Sequence, residues 1–92
     1  MDRQQTIAPQ IARDNATEMR NIADAIEALL QEVSTKMMTI NDGQTGIYDG
    51  YKKPSELRME LDRFRQSFHL THEQIKKSAA DIIATANTME NQ

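Results

Sequence analysis

Asn41-Asp42-Gly43-Gln44-Thr45-Gly46-Ile47-Tyr48-Asp49-Gly50-Tyr51-Lys52-Lys53-Pro54-Ser55 decides the fold, because it gathers all three glycines and one of the two prolines between two long periodic stretches. Glycine and proline at that density break a helix and allow another to begin. Upstream, Met19, Ile22, Ile26, Leu29, Val33, Met37 and Ile40 recur in steps of three and four, with one stutter between Val33 and Met37. Downstream, Leu57, Leu61, Phe64, Phe68, Thr71, Ile75, Ala79, Ile82, Ala86 and Met89 do the same. The spacing predicts an all-α chain: helix 1 over about 9–41, a turn over 42–54 and helix 2 over about 55–89, one antiparallel helix-turn-helix hairpin domain spanning 1–92.

Local signals sharpen that outline. Pro9 suits a first helical turn, where its missing N–H costs nothing. Asn41 and Gly43 follow the last periodic residue and are expected to supply the left-handed cap of helix 1. Ser55 is expected to be the N-cap of helix 2. The connection is long for a helix pair, so an extra helical turn is expected around Ile47-Tyr48, with Ile47, Tyr48 and Tyr51 closing the end of the core.

Hydrophobic patterning divides the side chains into two sets. The hairpin core is expected to be Ile22, Ile26, Leu29 and Val33 against Leu61, Phe64, Phe68, Ile75 and Ile82, so that Phe64→Ala costs ~3–5 kcal/mol of stability. Ala16, Ala23, Ala25 and Ala28 add helix propensity and permit a close neighbour. Leu30, Met38, Met59, Leu70 and Ile83 are apolar but lie off the stripes, and a second apolar face implies a partner interface. A lone hairpin of 92 residues has a small core. A four-helix-bundle dimer is the expected remedy, and the six methionines supply adaptable contact surface.

Composition removes several function classes. With no cysteine there is no disulfide, thiolate metal site or thiol nucleophile. The net charge of -3 is mild. Lys52, Lys53, Arg58, Arg63 and Arg65 cluster, but Glu56, Glu60 and Asp62 interleave with them and no aromatic stacking platform accompanies them, so they read as a solvated helix face and not a nucleic-acid site. His69 and His72 are three apart with Glu73 beside them, yet a metal centre needs further ligands that the sequence does not identify; they read as two solvated histidines beside the seam. Serines 34, 55, 67 and 78 lie on helices or at a cap, away from any strand-turn-helix elbow, and Gly43-Gln44-Thr45-Gly46 lacks the Lys-Ser/Thr of a phosphate loop. The expectation is a non-enzyme with no cofactor, no metal and no small-molecule substrate.

Met1-Asp2-Arg3-Gln4-Gln5-Thr6 is polar and no signal-peptide core follows it, while Asp24, Glu27, Glu32 and Lys36 interrupt the first stripe, so no stable membrane insertion is expected. The layout resembles the WXG (ESAT-like) helical-hairpin proteins of type VII secretion. Asn41-Asp42-Gly43 stands where that family has Trp-x-Gly, and Tyr48-Asp49-Gly50 is a second aromatic-x-Gly. Phe64-Arg65-Gln66 and then Gln74-Ile75-Lys76-Lys77-Ser78-Ala79-Ala80-Asp81-Ile82 look like the family's helix-2 pattern. The likeness is to a divergent member, without the tryptophan and without a Tyr-x-x-x-Asp/Glu export signal after Ala80. It implies a protein held in the cytoplasm before export and secreted without a classical signal peptide, acting as an effector or as a targeting partner or chaperone. Its protein partner would be a second copy, a similar small helical protein, or the helical region of a larger secreted toxin. Pro54-Ser55-Glu56-Leu57 is also similar to the turn of type III secretion needle and rod subunits, which implies polymerisation as the alternative; a dimeric helical-bundle regulator is a third reading.

Overall fold

A computed structural model describes residues 7–44 and 46–91. It contains α1 over Pro9–Met37 and α2 over Pro54–Glu90, packed as a helical hairpin, with no strand among the described residues. The polar N-terminal hexapeptide and Thr45, which entered the leader and phosphate-loop readings, lie outside the described residues.

The helix ends differ from the sequence expectation in instructive ways. The Ala8 carbonyl accepts from the N–H groups of Ile11 and Ala12, so Pro9 occupies the first helical position as expected. α1 then stops at Met37 and not near 41. The N–H groups of Thr39 and Ile40 reach back only three residues, to Lys36 and Met37, and the Thr39 hydroxyl donates to the Lys36 carbonyl at 2.7 Å. The hydroxyl and the tightened turn compete with the α-helical pattern and unwind its end.

The connection is organised by two glycines, neither of them Gly43. Gly46 and Gly50 take φ of 75° and 85°, the left-handed region that side chains disfavour. Gly43 instead donates its N–H to Asn41 Oδ1 at 3.1 Å. Two successive turns, Asp49 N–H to the Gly46 carbonyl and Tyr51 N–H to the Tyr48 carbonyl, replace the expected extra turn of helix. Ile47 and Tyr51 are exposed and only Tyr48 is half-buried, so this segment contributes little to the core.

α2 starts one residue early because Lys53, not Ser55, caps it. The Lys53 carbonyl accepts from Leu57 N–H at 3.0 Å, which places Pro54 first in the helix. Ser55 lies inside, and its N–H donates to Asp42 Oδ2 at 2.7 Å. The Asp42 carboxylate thus satisfies one of the orphan donors of α2 from across the connection. That backbone bond, followed by one from the Ser55 hydroxyl, holds the Asp42 carboxyl below the ordinary carboxylate range.

The described residues divide into two compact units, one within 7–24 and 72–91 and one within 25–71. In the first, Ala16 and Ala23 of α1 and Ala79 and Ala86 of α2 are buried, with His72 beside them. In the second, Ser34 is buried and Leu30, Met37, Leu61, Asp62, Arg65 and Phe68 are half-buried. Among the described residues no large side chain is completely buried.

Candidate protein interface

In the unit of residues 25–71 the helices run antiparallel, as two contacts fix. Ser34 Oγ donates to Asp62 Oδ1 at 2.7 Å, and His69 Nδ1 lies 2.7 Å from Glu27 Oε1: seven residues down α1 corresponds to seven residues up α2. The residues turned toward the opposite helix are Glu27, Leu30, Ser34 and Met37, and Arg58, Leu61, Asp62, Arg65 and Phe68. Ile26, Leu29 and Val33 each precede a member of that seam by one residue, as do Leu57 and Phe64. One residue is a rotation of ~100° about a helix of 3.6 residues per turn. In an antiparallel pair, the positions one before the seam on both helices therefore fall on the same side.

That side carries five uncovered apolar side chains, with Lys36, Glu60 and Ser67 also standing one before the seam. Ile26, Leu29, Val33, Leu57 and Phe64 are all exposed, Leu29 at 58% and Phe64 at 56%. The positions one after the seam include Ala28, Gln31, Thr35, Arg63, Gln66 and His69, which are mostly polar, and, nearer the connection, the exposed Met38 and Met59. This side carries an open cleft of about 420 Å³ lined by Glu27, Asp62, Arg65, Gln66 and His69. The charged groups there engage one another: His69 with Glu27, and Arg65 with Asp62 at 3.2 Å. The Ser34 hydroxyl, and then Arg65, hold the Asp62 carboxyl below its usual range.

The expected hairpin core is thus placed differently. Ile26, Leu29, Val33 and Phe64 flank the seam and stay exposed, while Leu61 and Phe68 reach it and are half-buried. In the unit of residues 7–24 and 72–91, Ile22 and Ile82 are exposed and Ile75 is half-buried. The seam there belongs to alanines, Ala23 and Ala79 each 1% exposed, because small side chains let two backbones approach closely and leave no room for isoleucine between them. Of the expected partner residues, Met38, Met59 and Leu70 are exposed. Leu30 and Ile83 are half-buried, each at a position turned toward the opposite helix of its own unit. Of the expected turn motif, Asn41, Gly43 and Gly50 are exposed and Asp42 and Tyr48 half-buried, Asp42 being the tie to α2.

His72 is the residue that sequence reading placed least well. It is buried in the seam of its unit, with Nε2 2.6 Å from Asp24 Oδ1. The signal was present in its spacing, since 65, 68, 72, 75 and 79 continue one heptad track. Glu73, its neighbour in sequence, pairs with Lys76 along the same helix. Farther along this unit Arg13 donates to Asn87 at 3.0 Å and pairs with Glu90 at 2.7 Å. No described helix is long and apolar enough to cross a membrane.

No family model, no curated protein and no solved structure matches the chain.

Proposed function

We propose that this chain is a non-enzymatic protein that works by association, two copies packing their apolar faces together as a four-helix bundle. The observation that carries this reading is the exposure of Ile26, Leu29, Val33, Leu57 and Phe64 together on one side of a seam in which Leu30, Met37, Leu61 and Phe68 alternate with polar and charged side chains. Because there is no native cysteine, the test is clean. Leu29→Cys should form a disulfide-linked pair under mild oxidation and Gln31→Cys, on the other side, should not; equal crosslinking of both, or of neither, would remove the face from the proposal.

The biological setting we propose is type VII secretion, the protein serving as an effector or as the targeting partner of a larger toxin's helical region. Its support is the likeness of Asn41-Asp42-Gly43 and of Gln74–Ile82 to the WXG pattern. Producing the chain in a type VII-competent strain and in one lacking the secretion ATPase tests it. Export, or toxin export that requires the chain, should be confined to the competent strain.

A further inference from the structure

Independently of association, the connection between the helices carries a site of covalent change. Two aspartates of the chain are followed directly by glycine, Asp42-Gly43 and Asp49-Gly50, and both pairs lie between α1 and α2. The nitrogen of the following residue is already tethered beside the aspartate carboxyl, so ring closure between them is intramolecular. Glycine removes the Cβ that would hinder the approach and lets the backbone turn as the ring needs.

The structure treats the two pairs unequally. At Asp42-Gly43 both reacting groups are occupied: the carboxylate accepts from Ser55 N–H at 2.7 Å, and Gly43 N–H donates to Asn41 Oδ1 at 3.1 Å. Ring closure there has to give up both bonds, one of them to an ionised group. The Ser55 bonds also favour the ionised form of Asp42, whereas the ring closes from the protonated acid. At Asp49-Gly50 both residues are exposed, and a side-chain carbon placed on Gly50 would meet no atom within 4 Å. The two turns are closed by the N–H groups of Asp49 and Tyr51, and the Gly50 N–H between them takes part in neither. Among the described residues Asp49 enters no ion pair, and the neighbouring Lys52 is engaged by Glu60.

We infer that Asp49 is a site of spontaneous isomerisation to isoaspartate, and that the fold holds Asp42 unreactive. The Gly50 nitrogen attacks Cγ of the protonated Asp49 carboxyl; a C–N bond forms, the C–OH bond breaks, and the hydroxyl leaves as water with the amide proton. Water then adds to the main-chain carbonyl of the resulting five-membered succinimide and breaks its older C–N bond to Gly50. The chain now runs through the former side chain, with the carboxylate on Cα. One water leaves and one returns, so mass and charge are unchanged, while the main chain is longer by one carbon–carbon bond, ~1.5 Å. The 2.9 Å bond from Tyr51 N–H to the Tyr48 carbonyl, which spans this step, is the contact the added atom disrupts.

The test is incubation of the full chain in mildly acidic buffer made with heavy-oxygen water, with circular dichroism to show that it stays helical. Both aspartates fall in the tryptic peptide 37–52. Tandem mass spectrometry locates the oxygen taken up, and a protease that cuts before aspartate but not before isoaspartate reports the isomer. Asp49 should convert about tenfold or more faster than Asp42, the factor of one hydrogen bond to an ionised group. In guanidinium, which releases the partners of Asp42 and Gly43, the two rates should converge. Asp49→Glu, which would need a six-membered ring, should abolish conversion at 49 with helicity unchanged. An Asp49 that does not convert, equal conversion of both aspartates in the folded chain, or a ratio unchanged by guanidinium would each overturn the inference, the last by tracing the difference to neighbouring sequence and not to the fold.

Discussion

Phe64→Ala separates a residue that holds one chain together from a residue that holds two chains together. Phe64 keeps 56% of its surface open in the single chain. Complete burial of such a side chain contributes ~1.5–3 kcal/mol, so covering the open part is worth ~0.8–1.7 kcal/mol per copy and ~1.7–3.4 kcal/mol for two. That corresponds to a dimer dissociation constant raised roughly 20–300-fold. The part already covered within the chain is worth only ~0.7–1.3 kcal/mol, well short of the ~3–5 kcal/mol expected for a phenylalanine in a closed core. Sedimentation equilibrium gives the first quantity, and urea unfolding monitored by circular dichroism, extrapolated to low protein concentration, gives the second. A variant that loses ~3–5 kcal/mol of intrachain stability while dimerising like the parent would refute the placement of Phe64 on an intermolecular face.

Overfilling the alanine seam should be costly: Ala79→Leu, at a position 1% exposed, is expected to lower unfolding stability by ~1–3 kcal/mol, and a neutral result by urea denaturation would contradict close helix approach there. Leu70→Glu should leave the helical signal unchanged, since Leu70 is 67% exposed, and light scattering then shows whether Leu70 belongs to the contact. Asp42 and Asp62 both have folded pKa values lowered, by Ser55 and by Ser34 respectively. Their stabilising effect is therefore complete above the unfolded value of about 4 and is lost as pH falls through the lower folded values. Asp42→Asn and Ser34→Ala should each reduce thermal stability at neutral pH and flatten its decline with acid, and a parent-like acid profile would count against these bonds.

The hairpin was legible in the sequence because period and punctuation agree: steps of three and four on either side of Asn41–Ser55 leave no other arrangement of helices and turn. What the period does not give is which of two neighbouring tracks faces inward. Ile22, Ile26, Leu29 and Val33 form one track, and Ala23, Leu30 and Ser34, a single residue later, form another at nearly the same spacing. Hydrophobicity favours the first track as core. The packing of two backbones favours the second, because alanine and serine admit a closer helix and a Ser34–Asp62 hydrogen bond. The same weighting concealed His72, whose polarity suggested solvent although its position continued the seam. The cap of α2 was beyond local reading for a different reason: the carboxylate that serves Ser55 comes from Asp42, thirteen residues earlier, and capping rules look only one turn away.

Light scattering of the purified chain over a wide range of concentration, with circular dichroism on the same samples, tests self-association most directly. A helical particle of about 21 kDa, twice the 10.5 kDa chain, whose mass stays constant as concentration rises, is the expected result. A well-folded helical monomer at every concentration would contradict the face-to-face pair, and mass that grows without limit would replace it with a polymerising subunit.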